Sequence, residues 1–242
     1  MVRTVDTDVV VIAIATLNKI KPEKLWVAFG TGEKFRFIPI HEIAATLGPR
    51  KSAALPMFHA ITGCDTVSSF AGIGKKTAWS TWNAYSEVTE AFEEMEHMAD
   101  PISDESMEML ERFVVLMYCR TSDLSRVNDA RKQLFSQTSH TLENIPPTKA
   151  ALEQHIKRAR YQSHCWNMCL SPDPQLPNPS DWGWTKVLDE WQPLWTTLPE
   201  VAKSCYELIH CGCKKGCSGY CKCAKAHLKC TALCACLGDC QY

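Results

Sequence analysis

Nine cysteines lie close together at the end of this sequence, within residues 211–240. Their spacing is C-x-C-x3-C-x3-C-x-C-x6-C-x3-C-x-C-x3-C, which contains three C-x-C pairs. In a reducing compartment, clustered cysteines are more often metal ligands than disulfide partners. The nine candidate ligands are Cys211, Cys213, Cys217, Cys221, Cys223, Cys230, Cys234, Cys236 and Cys240.

The number of cysteines predicts how many metal ions they hold. Zinc takes four tetrahedral ligands, so two separate ions would use eight thiolates and leave the ninth unused. Three zinc ions need twelve sulfur–zinc bonds, which six terminal and three bridging thiolates supply. The spacing therefore predicts a three-zinc structural cluster, and we expect the segment to be unfolded without metal.

Two other classes of cysteine-rich segment are the alternatives to this cluster. Metallothionein-like metal storage also uses C-x-C pairs, but Leu228, Leu233 and Leu237 could form a small apolar cap on a folded module. A RING finger would show C-x2-C pairs, and the tail has none. His227 is expected to be a solvated loop residue rather than a ligand.

Two stretches of the tail resemble the CXC domain of tesmin-type proteins and of some chromatin regulators. They are "CGCKKGCSGYCKC" and "LKCTALCACLGDC". The resemblance implies three zinc ions on nine cysteines and, as in several members, DNA binding. In tesmin-type members a tyrosine before a C-x-C pair enters the minor groove, and Tyr220 has that position. The spacers here are one residue shorter, and one CXC unit is present where tesmin-type proteins commonly have two.

Two aspartates near the start form a second candidate metal site. Asp6 and Asp8 precede the apolar run Val9–Ala15, a pattern that predicts a buried strand with carboxylates at its edge. Carboxylates two residues apart can face the same side and share a Mg²⁺ ion. A pair of aspartates in an ordinary turn is the alternative.

A glycine-rich turn further along could bind phosphate. The stretch "FHAITGCDTVSSFAGIGKKTAWSTW" (58–82) places Gly72-Ile73-Gly74 before a helix-like run. Backbone amides at a helix N-terminus favour an anion such as phosphate. Lys75 and Lys76 add positive charge at the same point.

Together these stretches resemble the flap-endonuclease branch of PIN-like nucleases over residues 1–90. The segments "LWVAFG" and "FRFIPI" agree with the strands of such an α/β fold. The resemblance implies a helix–turn–helix that grips the DNA backbone through Gly72, Gly74 and Lys75. It also implies that Asp6, Asp8 and Asp65 are metal ligands, here at a vestigial Mg²⁺ site.

The metal site implied by this resemblance is incomplete. Two-metal phosphodiester hydrolysis needs several carboxylates around both ions. PIN-like nucleases take some of them from the half before the aspartate pair, whereas five residues precede Asp6 here. We therefore expect a fragment of a longer protein without robust nuclease activity. The alternative is a structure-specific nuclease whose first half is absent from this chain.

Composition divides the chain into three parts. We expect an α/β module over 1–90, a mostly helical region over 91–204 with a Pro/Trp-rich loop at 171–184, and a coil-rich zinc domain over 205–242. The net charge of −1 means that any nucleic-acid surface must be local. No signal peptide or membrane span is recognisable, so we expect the cytosol or, for a DNA-binding protein, the nucleus.

Two stretches of the middle region show helical periodicity. Residues 106–119 place four apolar residues on one face, and residues 148–166 begin at a capping residue, Thr148. The expected core faces are Leu110, Phe113, Val114 and Met117 in the first helix, and Leu152, Ile156 and Ala159 in the second. The basic residues Lys149, Lys157, Arg158 and Arg160 are expected on a solvated face, and contact with backbone phosphate is the alternative.

Other residues of the middle region are expected to have structural roles. The tryptophans of the 182–195 segment are expected to clamp the loop to the core, with base stacking as the alternative, and they are Trp182, Trp184, Trp191 and Trp195. Cys165 and Cys169 are expected to be ordinary buried thiols.

As a whole, the chain resembles a group of animal proteins derived from mobile elements. The resemblance rests on stretches such as "GCDTVSSFAGIGKKTAW" and "IPPTKAAL" and on the terminal CXC segment. It leaves three functions open: a DNA-binding protein, a nuclease lacking its first half, and a zinc-stabilised protein-interaction module.

Overall fold

The protein forms two compact units, Met1–Thr197 and Leu198–Tyr242. The structure is a computed structural model, and it describes residues 1–96, 98, 101–136, 145–198, 211–213, 217, 221–225, 229–230 and 234–236. Within these ranges, no helix combines the length and apolar character that crossing a bilayer requires.

A small mixed sheet opens the first unit. Its strands are β1 (Val2–Thr4), β2 (Trp26–Phe29) and β3 (Arg36–Pro39), in the order β1-β2-β3. β1 pairs with β2 in parallel, and β2 pairs with β3 antiparallel. The strands predicted around 25–30 and 35–40 are confirmed.

The helices make up most of the rest of this unit. They are α1 (Thr7–Ile20), α2 (Ile40–Ile61), α3 (Lys75–Ala84), α4 (Val88–Glu94), α5 (Asp104–Tyr118), α6 (Val127–Ser136) and α7 (Lys149–Asn167). Helix α2 is central, since it packs against α1, α4 and α7. It bends at Gly48, where φ is 76° before Pro49.

The strand predicted over Val9–Ala15 is wrong, because these residues lie in α1. Asp6 starts the helix, since its side chain accepts a hydrogen bond from the Asp8 backbone N–H at 2.8 Å. Lys21 ends it in the left-handed conformation, with φ at 50°. A short apolar run fits a buried helix as well as a buried strand, so its periodicity could not separate the two.

An aromatic cluster fills the core between α2, α3, α4 and α5. The Phe58 ring stacks on Trp82 with centroids 4.7 Å apart, and Phe92 lies edge-on to both Trp82 and Phe113. Phe113 belongs to the predicted core face of α5, and all four residues of that face are buried. The core-helix prediction for residues 106–119 is confirmed.

Helix α7 confirms its predicted start and apolar face but not its basic face. The Thr148 side chain accepts a hydrogen bond from the Ala151 N–H at 3.3 Å, as expected of a capping residue. The three predicted core residues are fully buried. However, Arg158 and Arg160 are also buried, each 2% exposed. The prediction of solvation is wrong for these two arginines because carbonyl groups from other segments accept their hydrogen bonds.

A β-hairpin follows the Pro/Trp-rich segment. Strands β4 (Trp184–Val187) and β5 (Glu190–Pro193) pair antiparallel around Leu188 and Asp189, both at positive φ. Before them, the predicted loop is largely irregular, apart from a 3₁₀ turn at Pro179–Trp182.

Tryptophans and arginines together hold this segment to α7. Arg158 donates to the Gly183 and Leu194 carbonyls at 3.1 and 2.6 Å, and its guanidinium lies over Trp195. Arg160 lies in the same way over Trp182. The predicted clamp is therefore present for these two tryptophans, through guanidinium stacking.

Candidate metal centre and phosphate-binding turn

The terminal cysteines converge in the second unit. Eight of the nine predicted ligands are described, and Cys211, Cys221, Cys223 and Cys234 are buried. The remaining four are half-buried: Cys213, Cys217, Cys230 and Cys236. Other predicted residues of this unit lie outside the described residues: Cys240, Tyr220, His227, Leu228, Leu233 and Leu237.

The sulfurs form two overlapping groups of four. In each group, all sulfurs lie within 4.8 Å of one another. The first group is Cys211, Cys217, Cys221 and Cys230, and the second is Cys211, Cys223, Cys230 and Cys234. Cys211 and Cys230 belong to both, so six cysteines supply two sets of four ligands. Such sharing is what bridging thiolates would produce.

The sulfur–sulfur distances fit tetrahedral zinc. A tetrahedron with Zn–S bonds of about 2.3 Å has edges of about 3.8 Å. The sulfur of Cys211 lies 3.6 Å from Cys217 and 3.8 Å from Cys230, and Cys217 lies 3.5 Å from Cys230. In the second group, Cys223 and Cys234 are 3.6 Å apart. The described thiols are therefore spaced to bind metal, and this group of cysteines could hold zinc.

A further sulfur extends the cluster beyond these six. Cys236 lies 3.9 Å from Cys211 and 3.8 Å from Cys217, again close to the edge of a zinc–sulfur tetrahedron. It belongs to neither group of four.

Backbone contacts hold the two ends of the described cluster together. The Ala235 N–H donates to the Cys211 carbonyl at 2.9 Å, and the Cys211 N–H points to the Cys234 sulfur at 3.5 Å. Cys221 precedes the short helix α8 (Lys222–Lys225), and the Lys225 N–H donates to its carbonyl at 2.9 Å. These contacts position sulfurs that are distant in sequence.

The environment of individual thiols differs within the cluster. A hydrogen bond from the Ala224 backbone N–H lowers the pKa of Cys221 to about 6, which favours the thiolate that metals bind. Burial raises the pKa of Cys223 to about 12. A coordinated metal ion deprotonates its thiol ligands, so zinc would overcome the effect at Cys223.

The three candidate magnesium ligands are placed differently from one another. Asp6 starts α1, Asp8 lies in its first turn, and Asp65 is exposed in the segment after α2. Among the described histidines, cysteines and carboxylates, the groups of three or more with ligand atoms within 4.8 Å consist of cysteines. The three aspartates therefore do not converge as a set on one point.

Asp8 instead contacts a histidine that the sequence did not single out. Its Oδ1 lies 2.8 Å from Nε2 of His59, and since a carboxylate can only accept, Nε2 carries the proton. Burial and the positive charge of Lys75 lower the pKa of His59, while the Asp8 carboxylate opposes this shift. The imidazole also lies 5.6 Å from the Trp166 ring of α7.

Lys75 joins the same cluster through its ammonium group. Its Nζ donates to the His59 carbonyl at 2.8 Å and to the Thr62 hydroxyl at 3.0 Å, at the end of α2. The residue as a whole is exposed, yet burial of the amine lowers its pKa to about 8. The structure therefore brings Asp8 and Lys75 of the two predicted motifs to the same histidine.

The glycine turn itself has the predicted form. Gly72 has φ at 71°, and α3 begins directly after Gly74. A side chain at Gly74 would meet nothing within 4 Å, and Lys76 is exposed. No described side chain caps α3 at Gly74, so the first amides of the helix are left for an anion, while Lys75 is engaged with α2.

Two signals in the sequence were too weak to identify the rest of this cluster. His59 stands alone in an apolar run, and Trp166 is separated from it by 107 positions.

Cys165 is half-buried, whereas Cys169 is exposed, so the prediction of burial is wrong for Cys169. Cys169 follows the end of α7, in a 3₁₀ turn at the surface.

Comparison with protein-family models, with curated proteins and with solved structures gives no match to this chain. Function is therefore inferred from the residues and their geometry.

Proposed function

We propose that the protein binds DNA and that zinc folds its C-terminal segment, residues 211–240, into a cluster of three ions. The convergence of the described sulfurs carries the zinc part of this proposal. Two groups of four share Cys211 and Cys230, and a further sulfur lies at tetrahedral spacing from two members.

The stoichiometry of three follows from extending this pattern to all nine cysteines. Six described cysteines supply two sets of four sulfurs by sharing two. Adding Cys213, Cys236 and Cys240 gives nine thiolates, which are enough for twelve zinc–sulfur bonds when three of them bridge. Zinc would stabilise the fold and would not take part in a reaction.

A metal count of the purified full chain tests this part. Native mass spectrometry should show three zinc ions per chain, and Cys230→Ala should lower the count because it removes a shared ligand. Cys169→Ala is the matched control, because that thiol lies outside the cluster, and it should leave the count at three. Fewer than three ions in the wild type, or disulfides within residues 211–240, would contradict the cluster.

The DNA part of the proposal is supported by two exposed basic regions. In the tail, Lys225 and Lys229 are exposed beside the cysteines. In the first unit, the amides after Gly74, which no described side chain caps, lie next to exposed Lys76. Both regions offer positive groups to a phosphate backbone, a role that would place the protein in the nucleus.

Salt dependence of duplex binding tests the DNA part. Phosphate contacts release counterions, so affinity should fall steeply between 50 and about 200 mM salt. Lys76→Gln should weaken binding and reduce the salt slope by about one, whereas exposed Lys132→Gln should change neither. Equal affinities for the two variants would remove the turn from the interface.

A tyrosine substitution separates groove contact from zinc binding. Tyr220→Ala should weaken duplex binding without releasing zinc, and Tyr242→Ala, in the same tail, should do neither. Zinc binding without any salt-sensitive DNA binding would favour the alternative, a zinc-stabilised interaction module. Mg²⁺-dependent cleavage of flap DNA that is lost in Asp65→Ala would favour the nuclease.

A further inference from the structure

Among the described residues, a small cavity in the first unit is lined by two arginines and by no carboxylate. It has a volume of about 240 Å³ and lies between the 68–71 segment, residues 145–147 and α7. The residues that matter for its chemistry are Ser68, Ser69, Arg131, His155, Arg158 and Trp195. It is separate from the Asp8–His59–Lys75 cluster and from the terminal cysteines.

The two arginines of this cavity have no carboxylate partner in the part of the chain that the structure describes. Neither Arg131 nor Arg158 makes an ion pair with any described carboxylate. Arg158 is 2% exposed, so its charge is held largely away from water. A buried charge is stabilised when it is paired, and an anion in the cavity would provide the missing partner.

Both guanidinium groups keep donors for such an anion. The hydrogen bonds of Arg158 to the Gly183 and Leu194 carbonyls use Nη1, and the bond of Arg131 to the Pro146 carbonyl also uses Nη1. An arginine has five N–H donors, and no described residue accepts a hydrogen bond from Nε or Nη2 of either arginine. These bonds also fix the orientation of both guanidinium groups.

Polar groups of the cavity wall add to these donors. The hydroxyls of Ser68 and Ser69 are exposed, and they have no partner among the described residues. Burial lowers the pKa of His155 to about 4, so its ring is neutral at pH 7. Because Nε2 of this ring donates to the Ile61 carbonyl at 2.8 Å, Nδ1 is left as an acceptor.

An exposed aromatic ring borders the same cavity. Trp195 is 61% exposed, and the Arg158 guanidinium lies 5.4 Å from its ring centroid. A tryptophan ring that is fixed in this way and open to solvent offers a stacking surface for a planar base. The cavity thus combines anion donors, an acceptor and a stacking surface within the volume of a small ligand.

We propose that this cavity binds a single nucleotide unit, with its phosphate at Arg131 and Arg158 and its base against Trp195. The nucleotide could be free or could be the phosphorylated end of a strand, since both present the same groups. The proposal rests on the first unit alone and is independent of zinc in the tail.

Calorimetric titration of the zinc-loaded full chain tests the proposal with dAMP, with inorganic phosphate and with a 5′-phosphorylated single-stranded oligonucleotide. Ser68→Glu places a carboxylate beside the two arginines and should weaken binding of phosphate-bearing probes by about tenfold or more. Ser86→Glu, at an exposed serine outside the cavity, adds the same charge and should leave binding unchanged.

A second variant reports on the base. Trp195→Ala should weaken the binding of dAMP by about tenfold and leave the binding of inorganic phosphate unchanged, because only the base stacks on the ring. If Ser68→Glu fails to fold, Arg131→Gln replaces it with the same expected loss. Binding of dAMP supports a free nucleotide as the ligand, and binding of the oligonucleotide alone supports the end of a strand.

Two results would overturn the proposal. One is the absence of binding by all three probes at millimolar concentration. The other is equal binding by the wild type and by the variants at Ser68 and Arg131. Both are distinguishable from failure of the zinc cluster, which the metal count reports.

Discussion

At the scale of single residues, the side chain of Lys75, which was expected to contact DNA, makes hydrogen bonds within the fold. Its ammonium group donates to the His59 carbonyl and the Thr62 hydroxyl, where α2 ends. Cations are favoured at helix C-termini, because the last carbonyls lack partners within the helix. Lys75 thus joins the start of α3 to the end of α2, and the amides after Gly74, which no described side chain caps, remain for an anion.

The lowered pKa of Lys75 predicts a pH dependence of stability. Between about pH 8 and its ordinary value of 10.5, the unfolded chain holds a proton that the folded protein lacks. Stability from this group should therefore rise with pH across that window, and below pH 8 the cost of the buried charge is fully present. Lys75→Met should remove this rise, whereas Lys76→Met should retain it.

Two measurements check this prediction. NMR titration of the Lys75 side chain should give a midpoint near 8. In thermal melts, the difference in stability between the wild type and Lys75→Met should be constant below about pH 8 and should change above it, whereas the difference between the wild type and Lys76→Met should not change with pH. A midpoint in the ordinary range of lysine would show that the amine is solvated and that this account of α2 and α3 is wrong.

At the scale of elements, the attachment to α7 of the segments on either side of the β4–β5 hairpin depends on one glycine. Gly183 has φ at 78°, a conformation that side chains disfavour, and an added Cβ would lie 2.6 Å from the Gln154 carbonyl oxygen. Its own carbonyl accepts a hydrogen bond from Arg158. The close approach lets this buried arginine reach the hairpin.

Replacing this glycine should therefore lower the free energy of unfolding of the first unit. Gly183→Ala should destabilise the first unit by about 2 kcal/mol or more, because both the backbone strain and the clash with α7 oppose the native position. Chemical denaturation measures the loss. Gly74→Ala is the matched control, since a Cβ there meets nothing within 4 Å, and it should change stability little.

Elements were predictable where a local pattern decides them. The periodicity of 106–119 and the Thr148 cap define α5 and α7 because both depend on neighbours within a few residues. The hairpin was missed because Leu188 and Asp189 make its turn without glycine. The burial of Arg158 was missed because its acceptors are 25 and 36 residues away in sequence.

At the scale of the whole molecule, the chain contains two compact units with different sources of stability. The first has an apolar core that includes Phe58, Trp82 and Phe113. In the second, the buried cluster among the described residues consists of cysteines. Hydrophobic burial stabilises the first unit, whereas the cysteines of the second could hold metal ions, whose coordination would stabilise its fold.

Metal removal should therefore affect the units separately. A zinc chelator should unfold residues 211–240 and leave the cooperative unfolding of Met1–Thr197 unchanged. Amide hydrogen exchange measured by mass spectrometry, with and without chelator, locates the loss of protection. Protection that falls equally in both units, or in neither, would contradict this division.

The candidate sites were predictable to different degrees, because some of their contacts lie within one short segment and others join residues that are far apart in sequence. Cysteine spacing within a short segment limits where sulfurs can go, so the convergence of Cys211 and Cys234 follows from the sequence pattern. The contact between Asp8 and His59 joins residues 51 positions apart. It depends on how α1 packs against α2, which no local pattern specifies.

Cys211 and Cys230 each belong to both groups of sulfurs, and this sharing has a consequence for metal uptake. Once one ion is bound, the two common ligands are already deprotonated and in place for the next. Loading should consequently be cooperative, so that at limiting zinc the chains divide into empty and fully loaded forms with few intermediates. The tail would then respond to zinc concentration over a narrow range, as a threshold.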